Sequence, residues 1–158
     1  MAKFTFYDYI RSRLDRFLLR RPRSEFEIRH YLRGKLIRKN IVDKDKQEAI
    51  IADLVKEVQD LGSIDDEKFA QWWVDERTYF KPRGKKALQF ELYRKGIPKD
   101  IIDETITAAN IDEKALILQL IAKKHFTDFN QKVIQFLLRK GFSYQNIKKA
   151  IEEWEKKR

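Results

Sequence analysis

The chain has 158 residues, of which 35 are Lys or Arg and 25 are Asp or Glu, so its net charge is +10 at pH 7. The chain contains no cysteine, which excludes disulfides and thiolate metal sites and is compatible with a reducing cytosol. No apolar run reaches the ~18 residues of a membrane span, and the first residues form no signal-peptide core, so we expect a cytoplasmic protein with no membrane partner.

Apolar residues at helical spacing predict a first helix over residues 7–20. Pro22 ends this helix because proline cannot continue it. Ser24, three residues before Glu27, forms a capping-box pattern, which predicts a second helix over residues 25–33.

The next segment, residues 34–40, is basic and poorly periodic, so we predict a loop there. Asp43 is placed to cap a third helix, whose predicted apolar stripe includes Ala49. Gly62 follows that stripe and is predicted to end the helix in a left-handed conformation.

Turn residues mark the fourth to sixth helices. Residues 63–66 (SIDD) predict a capping box at the start of the fourth helix. Residues 82–84 (PRG) separate the fourth helix from the fifth, Gly96 closes the fifth, and Pro98 suits the first turn of the sixth. Three further helices are predicted after the boundary at residues 110–112.

Similar segments recur along the chain. Residues 92–97 (LYRKGI) match residues 137–142 (LLRKGF), and residues 82–84 (PRG) match residues 22–24 (PRS). Recurrence at this spacing is the signature of stacked helical units. We therefore predict an all-α fold of three tandem three-helix repeats in an elongated, gently curved array, with the repeats at residues 7–60, 61–109 and 110–158.

Nothing in the sequence indicates catalysis. The two histidines, His30 and His125, fall in different repeats, and no spacing of His, Cys or carboxylates matches a metal site. The acidic residues 65–67 are better explained as the start of a helix than as a Mg²⁺ site. We predict a protein that is not an enzyme and that needs no cofactor or metal.

The basic clusters are the candidate binding surface, because an excess of cations favours polyanions such as nucleic acid or an acidic protein surface. Arg23 and Arg83 occupy corresponding places in the first two repeats, so stacked repeats would align their joints as one positive track. The alternative is that these cations are only solvated or paired with nearby carboxylates. The predicted partner- or DNA-binding residues are Arg13, Arg16, Arg20, Arg21, Arg23, Lys81, Arg83, Lys85, Lys86 and Trp72.

Trp72 is a candidate for a different reason. Its neighbour Trp73 is predicted to take the core position on the fourth helix, so Trp72 must point elsewhere. Trp72 is then placed either to stack on a base or fill a partner's pocket, or to pack against the next repeat.

Several of these segments together resemble the RecX family, the regulators of the RecA recombinase. The first repeat departs from the family pattern, because residues 35–45 replace its usual tight lysine–glycine turn, so the third helix is expected to be displaced. The resemblance is carried, in order, by residues 21–24 (RPRS), 64–70 (IDDEKFA), 83–84 (RG), 95–97 (KGI) and 138–144 (LRKGFSY).

The resemblance implies tandem three-helix units that dock in the groove of a RecA–DNA filament and inhibit ATP hydrolysis, strand exchange and co-protease activity. We expect a monomeric regulator whose partners are the RecA filament and single- or double-stranded DNA. Two alternatives stay open: a sequence-independent DNA-binding protein that contacts the phosphate backbone, and a helical scaffold for another protein.

Overall fold

The computed structural model describes residues 5–157, and all the regular secondary structure within that range is α-helical. The all-α prediction is therefore confirmed. No helix of the described range has both the length and the apolar character needed to cross a bilayer. The helices are α1 Phe6–Arg20, α2 Glu25–Arg38, α3 Lys44–Asp60, α4 Asp66–Tyr79, α5 Lys85–Arg94, α6 Lys99–Ala109, α7 Glu113–Lys124, α8 Gln131–Arg139 and α9 Tyr144–Lys156.

The predicted start and stop signals act as expected at three positions. At the start of α2, the Ser24 hydroxyl accepts the Glu27 backbone N–H, and the Glu27 carboxylate accepts the Ser24 N–H. At the start of α3, Asp43 accepts the Lys46 N–H at 2.8 Å. Gly62 follows α3 with a φ of +70°, which a residue without Cβ adopts at little cost.

The loop predicted for residues 34–40 is wrong, because α2 continues to Arg38. Leu36 is fully buried and extends the apolar stripe of Ile28 and Leu32 by one further turn. The helix ends at Arg38, and the turn that follows contains Asn40, whose φ of 61° is left-handed and whose N–H donates to the carbonyl of Ile37. Burial of one leucine outweighed the weak local pattern.

Two details of the capping and packing predictions are also wrong. The capping box predicted between Ser63 and Asp66 does not form; Asp65 caps α4 instead, accepting the Lys68 N–H at 3.0 Å. On α3 the predicted inward residue Ala49 is exposed, and its apolar neighbour Ile51 is buried.

The chain divides into two compact units. The first comprises described residues 5–69 together with 95–97, and the second comprises residues 70–94 and 98–157. In the first unit α2 packs on α1 and α3, and in the second α5 packs on α6 while α9 packs on α7 and α8. The division at residues 7–60, 61–109 and 110–158 stays a prediction. The first core consists of Ile10, Leu14, Ile28, Leu32, Leu36, Ile51, Leu54, Val55, Val58 and Ile64.

In each unit a lysine–glycine turn makes a close contact with the start of a helix, which we call the turn contact. In the first unit the Ser24 hydroxyl donates to the carbonyl of Lys95 at 2.7 Å. In the second unit the Gly84 N–H donates to the carbonyl of Lys140 at 2.9 Å. In both, a lysine–glycine turn lies against the start of a helix, α2 in the first unit and α5 in the second.

The turn contact of the second unit leaves no room for a side chain. A Cβ added at Gly84 would overlap the backbone carbonyl of Gly141, whereas a Cβ added at Gly34, inside α2, would meet no atom within 4 Å. We expect Gly84→Ala to cost about 1–3 kcal/mol because backbone must move. We expect Gly34→Ala to add about 0.5–1 kcal/mol because alanine favours a helix interior.

Urea unfolding of both variants, followed by circular dichroism, measures these free energies of unfolding. Gly84→Ala is expected to lower the free energy of unfolding, and Gly34→Ala is expected to raise it. A Gly84→Ala variant as stable as the wild type would show that the turn contact is loose.

Candidate functional site

The joint between α1 and α2 is built around a buried carboxylate. Glu27 is 12% exposed and accepts hydrogen bonds from Arg21 Nη2 at 2.7 Å and Lys95 Nζ at 2.8 Å, in addition to the Ser24 N–H. Burial alone would raise the pKa of Glu27, but the hydrogen bonds from the two cations outweigh it and hold that pKa below its ordinary value. Arg21, predicted to bind a partner, therefore contributes to an internal ion cluster.

Arg23 lies at the same joint but has a different neighbour. Its guanidinium stands 3.9 Å from the centroid of the Phe17 ring, which in turn stacks on Tyr31 at 4.0 Å. Its Nε also donates to the carbonyl of Phe17. Burial and the nearby charge of Arg21 lower the pKa of Arg23. The cation is half-buried against aromatic rings rather than extended into solvent.

The joint between α4 and α5 carries the matching arginine in an ionic setting. Glu91 accepts hydrogen bonds from Trp73 Nε1 at 2.8 Å, Arg77 Nε at 2.9 Å and Arg83 Nε at 3.1 Å. The match of residues 82–84 with residues 22–24 sets Arg83 against Arg23, and the same register sets Glu91 against Tyr31. An ion cluster thus replaces an aromatic stack at the equivalent place.

The remaining predicted cations divide by exposure. Arg13 is half-buried, with its guanidinium 5.2 Å from the centroid of the Tyr9 ring. The exposed ones are Arg16 and Arg20 in the first unit and Lys81, Lys85 and Lys86 in the second. Each unit therefore presents exposed cations next to its joint, which can attract phosphates or carboxylates. Their alignment in one continuous track stays a prediction.

The structure does not place Trp73 in the core as predicted. Trp73 and Trp72 are both half-buried, and their rings meet edge to face with centroids 6.0 Å apart. The indole N–H of Trp73 needs its partner on Glu91, which keeps that ring near the surface. The buried residues of α4 are instead Phe69, Ala70 and Val74. A binding role for Trp72 stays a prediction.

Two carboxylates tie helix starts together: Asp66, which the sequence analysis assigned only to the start of its own helix, and Glu113, which it did not single out. Asp66 accepts the backbone N–H of Glu25 at 2.9 Å, at the first residue of α2. Glu113, 6% exposed, accepts the backbone N–H of Lys85 at 2.8 Å, at the first residue of α5. Each belongs to an acidic run at the start of a helix, residues 65–67 and residues 112–113. Such a run is the sequence feature by which both carboxylates could have been identified as caps.

The two carboxylates differ in their electrostatics. Burial raises the pKa of Asp66, which accepts one backbone hydrogen bond. Burial also acts to raise the pKa of Glu113, but hydrogen bonds from Asn146 and from the N–H groups of Lys85 and Ser143 outweigh it and lower that pKa. Both groups serve as helix caps.

In residues 5–157, no three acidic or histidine side chains come together in a way that could hold a metal ion. The surface chemistry available at the two joints is therefore that of guanidinium and ammonium groups, which bind anions by hydrogen bonds and charge. The more buried of these cations are paired with carboxylates of the chain itself. The exposed ones can attract an anionic partner.

Comparison with known proteins identifies what this chain is similar to. A family model described as the second three-helix domain of RecX matches residues 65–106. The regulatory protein RecX of Chlorobium phaeobacteroides (strain BS1) is 33% identical over 128 residues, which cover 73% of this chain and 82% of that protein. RecX of Leuconostoc citreum (strain KM20) is 26% identical over 132 residues, which cover 78% of this chain but only 50% of that protein.

A solved structure is similar over nearly the whole chain. The crystal structure of RecX from Lactobacillus salivarius superposes with a TM-score of 0.66 at 23% sequence identity. The match covers 94% of this chain and 96% of that one. At this identity the similarity establishes a shared fold.

The ion cluster at the first joint predicts a pH-dependent contribution to stability. Because folding lowers the pKa of Glu27, the charged carboxylate stabilises the fold above the ordinary carboxyl pKa, and this contribution is lost as the pH falls through the lowered value. We expect Glu27→Gln to cost about 1–3 kcal/mol near neutral pH, since two half-buried cations, Arg21 and Lys95, lose their charged partner.

Urea unfolding near neutral pH and again at about pH 3 measures the difference from wild type, which should shrink in acid. Glu76→Gln, at an exposed position of α4, is the control and should change stability little at either pH. A cost for Glu27→Gln that does not change with pH would contradict the assignment.

Proposed function

Because the chain belongs to the RecX family of regulatory proteins, we propose that it binds the RecA–DNA filament and lowers the filament's recombinase, ATPase and co-protease activities. The observation that carries the proposal is the 33% identity with a regulatory protein RecX across most of both chains. The chain would act in the cytoplasm, where recombinase and DNA occur together.

The geometry supports a binding mechanism in which the chain performs no chemistry of its own. Exposed cations stand beside the joint in each unit, Arg16 and Arg20 in the first and Lys81 and Lys86 in the second. A filament of protein on DNA offers both phosphates and carboxylates to such groups. A protein that binds one state of the filament better than another shifts the filament toward that state, which is sufficient for regulation.

The same exposed cations also support the second candidate function, sequence-independent binding to the DNA backbone alone. The two functions differ in one measurable property. A regulator of the filament changes ATP hydrolysis by RecA when it is scarcer than RecA. A protein that only neutralises phosphates binds bare DNA with an affinity that falls steeply with salt.

The proposed function is tested by titrating the chain into RecA that hydrolyses ATP on single-stranded DNA. Wild type is expected to suppress hydrolysis at less than one copy per RecA. The variant Arg16→Glu with Arg20→Glu should need about tenfold more protein, equivalent to about 1.4 kcal/mol, because two exposed contacts become repulsive. Arg23 and Arg83 are unsuitable, since each is bonded inside its own unit.

The matched control is Lys44→Glu with Lys46→Glu, which changes the net charge equally at exposed positions in the first turn of α3. Carboxylates suit that end of a helix, so the fold should be unaffected. If wild type has no effect at equimolar RecA, the proposed function is wrong. If it has no effect but binds bare DNA with a steep salt dependence, the second function is correct.

A further inference from the structure

The second unit contains a groove of about 420 Å³ between α5 and the end of α8. Arg83, which precedes α5, is one of its lining residues. Phe90, Glu91 and Arg94 line it from one face of α5, since residues three and four apart share a helix face. Arg139 and Lys140 line it from the last turn of α8. We call it the α5–α8 groove.

The groove carries an excess of positive charge. Glu91, the one carboxylate among its described lining residues, already accepts three hydrogen bonds, two of them from Arg77 and Arg83. Within the part of the chain that the structure describes, Arg94, Arg139 and Lys140 form no salt bridge with a carboxylate. Three cations therefore line a concave surface whose one described carboxylate, Glu91, is already bonded to two other arginines.

The crowding of these cations has an electrostatic effect on one of them. Burial lowers the pKa of Lys140, and the charges of Arg83, Lys124 and Arg77 lower it further. An anion bound in the groove would attract Lys140 and so offset the repulsion that Lys140 experiences from the neighbouring cations. Clustered like charges in a concavity are typical of binding sites.

Aromatic side chains lie among the cations. Phe90 is 60% exposed, and the guanidinium of Arg94 is 5.8 Å from the centroid of its ring. Phe136 is half-buried, with Lys140 Nζ 5.3 Å from its ring centroid. A flat apolar surface next to cations fits a base next to its phosphate. The volume is also within the range of sites that hold small organic groups.

The walls of the groove are fixed by the turn contact of the second unit. The bond from the Gly84 N–H to the carbonyl of Lys140 holds the start of α5 against the end of α8. A site held in place by backbone loses less freedom when it binds.

We propose that the α5–α8 groove binds single-stranded nucleic acid, with a phosphate held by Arg94, Arg139 and Lys140 and an adjoining base stacked on Phe90. This site deepens the proposed function by naming the part of the chain that contacts a strand. It does not require RecA, so the two proposals can fail separately.

Fluorescence anisotropy with a labelled thymidine oligonucleotide and the full chain alone tests the site. The variant Arg94→Glu with Arg139→Glu should bind at least about tenfold more weakly than wild type, and its salt dependence should fall by about 0.7 in log–log slope for each phosphate that the variant no longer neutralises. Phe90→Ala should weaken binding about tenfold, because the base has no ring on which to stack.

The control is Lys132→Glu with Lys148→Glu, which makes the same change in net charge at exposed positions of the second unit. Lys148 pairs only loosely with Glu152, at 4.0 Å, so its replacement should not affect the fold. Binding within about twofold of wild type is expected for this control, allowing for its lower net charge. Circular dichroism checks that every variant keeps its helices.

Three results would overturn the groove assignment. The first is an equal loss of binding in the groove variant and the control, and the second is full affinity in Phe90→Ala. The third is displacement of the oligonucleotide by free thymidine monophosphate or polyglutamate at the same concentration as unlabelled strand, which would assign the groove to another occupant. A groove variant that binds like the control in a chain that still suppresses RecA ATP hydrolysis overturns only this inference.

Discussion

The turn contact is the constraint on which the rest of the structure depends. A lysine–glycine turn lies so close to the start of a helix that a side chain cannot fit between them, as at Gly84 and Gly141 in the second unit. In the first unit this contact brings residues 95–97 onto the start of α2, although α3, α4 and α5 separate the two in sequence. It also brings Lys95 to Glu27, so the Lys95 part of the ion cluster at that joint depends on the turn.

Ion pairs inside each unit limit which cations can act on a partner. Arg21 and Lys95 are bonded to Glu27, and Arg77 and Arg83 are bonded to Glu91, each at carboxylates that are mostly shielded from water. Breaking such a pair leaves a half-buried charge without its partner, which costs more than the pair itself contributes. A net charge of +10 therefore overstates the charge available for binding, because the cations bonded inside a unit are not available to a partner.

The sequence predicted the helices best where a local rule is sufficient. Ser24 and Asp43 each cap the first turn of the helix that follows them, and Gly62 follows the end of α3. A pattern of a few neighbouring residues is therefore enough to predict these helix ends. The predictions are wrong where a contact with a residue distant in sequence determines the local structure. Segment 34–40 is helical largely because Leu36 fills the core, and Trp73 stays near the surface because Glu91 binds its N–H. In the candidate site, the basic clusters of the sequence include the exposed arginines. The sequence could not distinguish them from the arginines that are bonded inside a unit.

The repeat register explains why the α5–α8 groove need not recur in the first unit. The register that sets Arg83 against Arg23 sets Phe90 against His30 and Arg94 against Gly34, which has no side chain to offer. It also sets Glu91 against Tyr31, so Arg23 meets stacked aromatic rings where Arg83 meets a carboxylate. The turn contact forms both beside an aromatic stack, in the first unit, and beside an ion cluster, in the second. The surface residues of the two units can therefore differ in type. Repeats that share a helical arrangement can therefore differ in surface chemistry, and the groove that we propose as a strand-binding site lies where α5 supplies both a ring and a guanidinium.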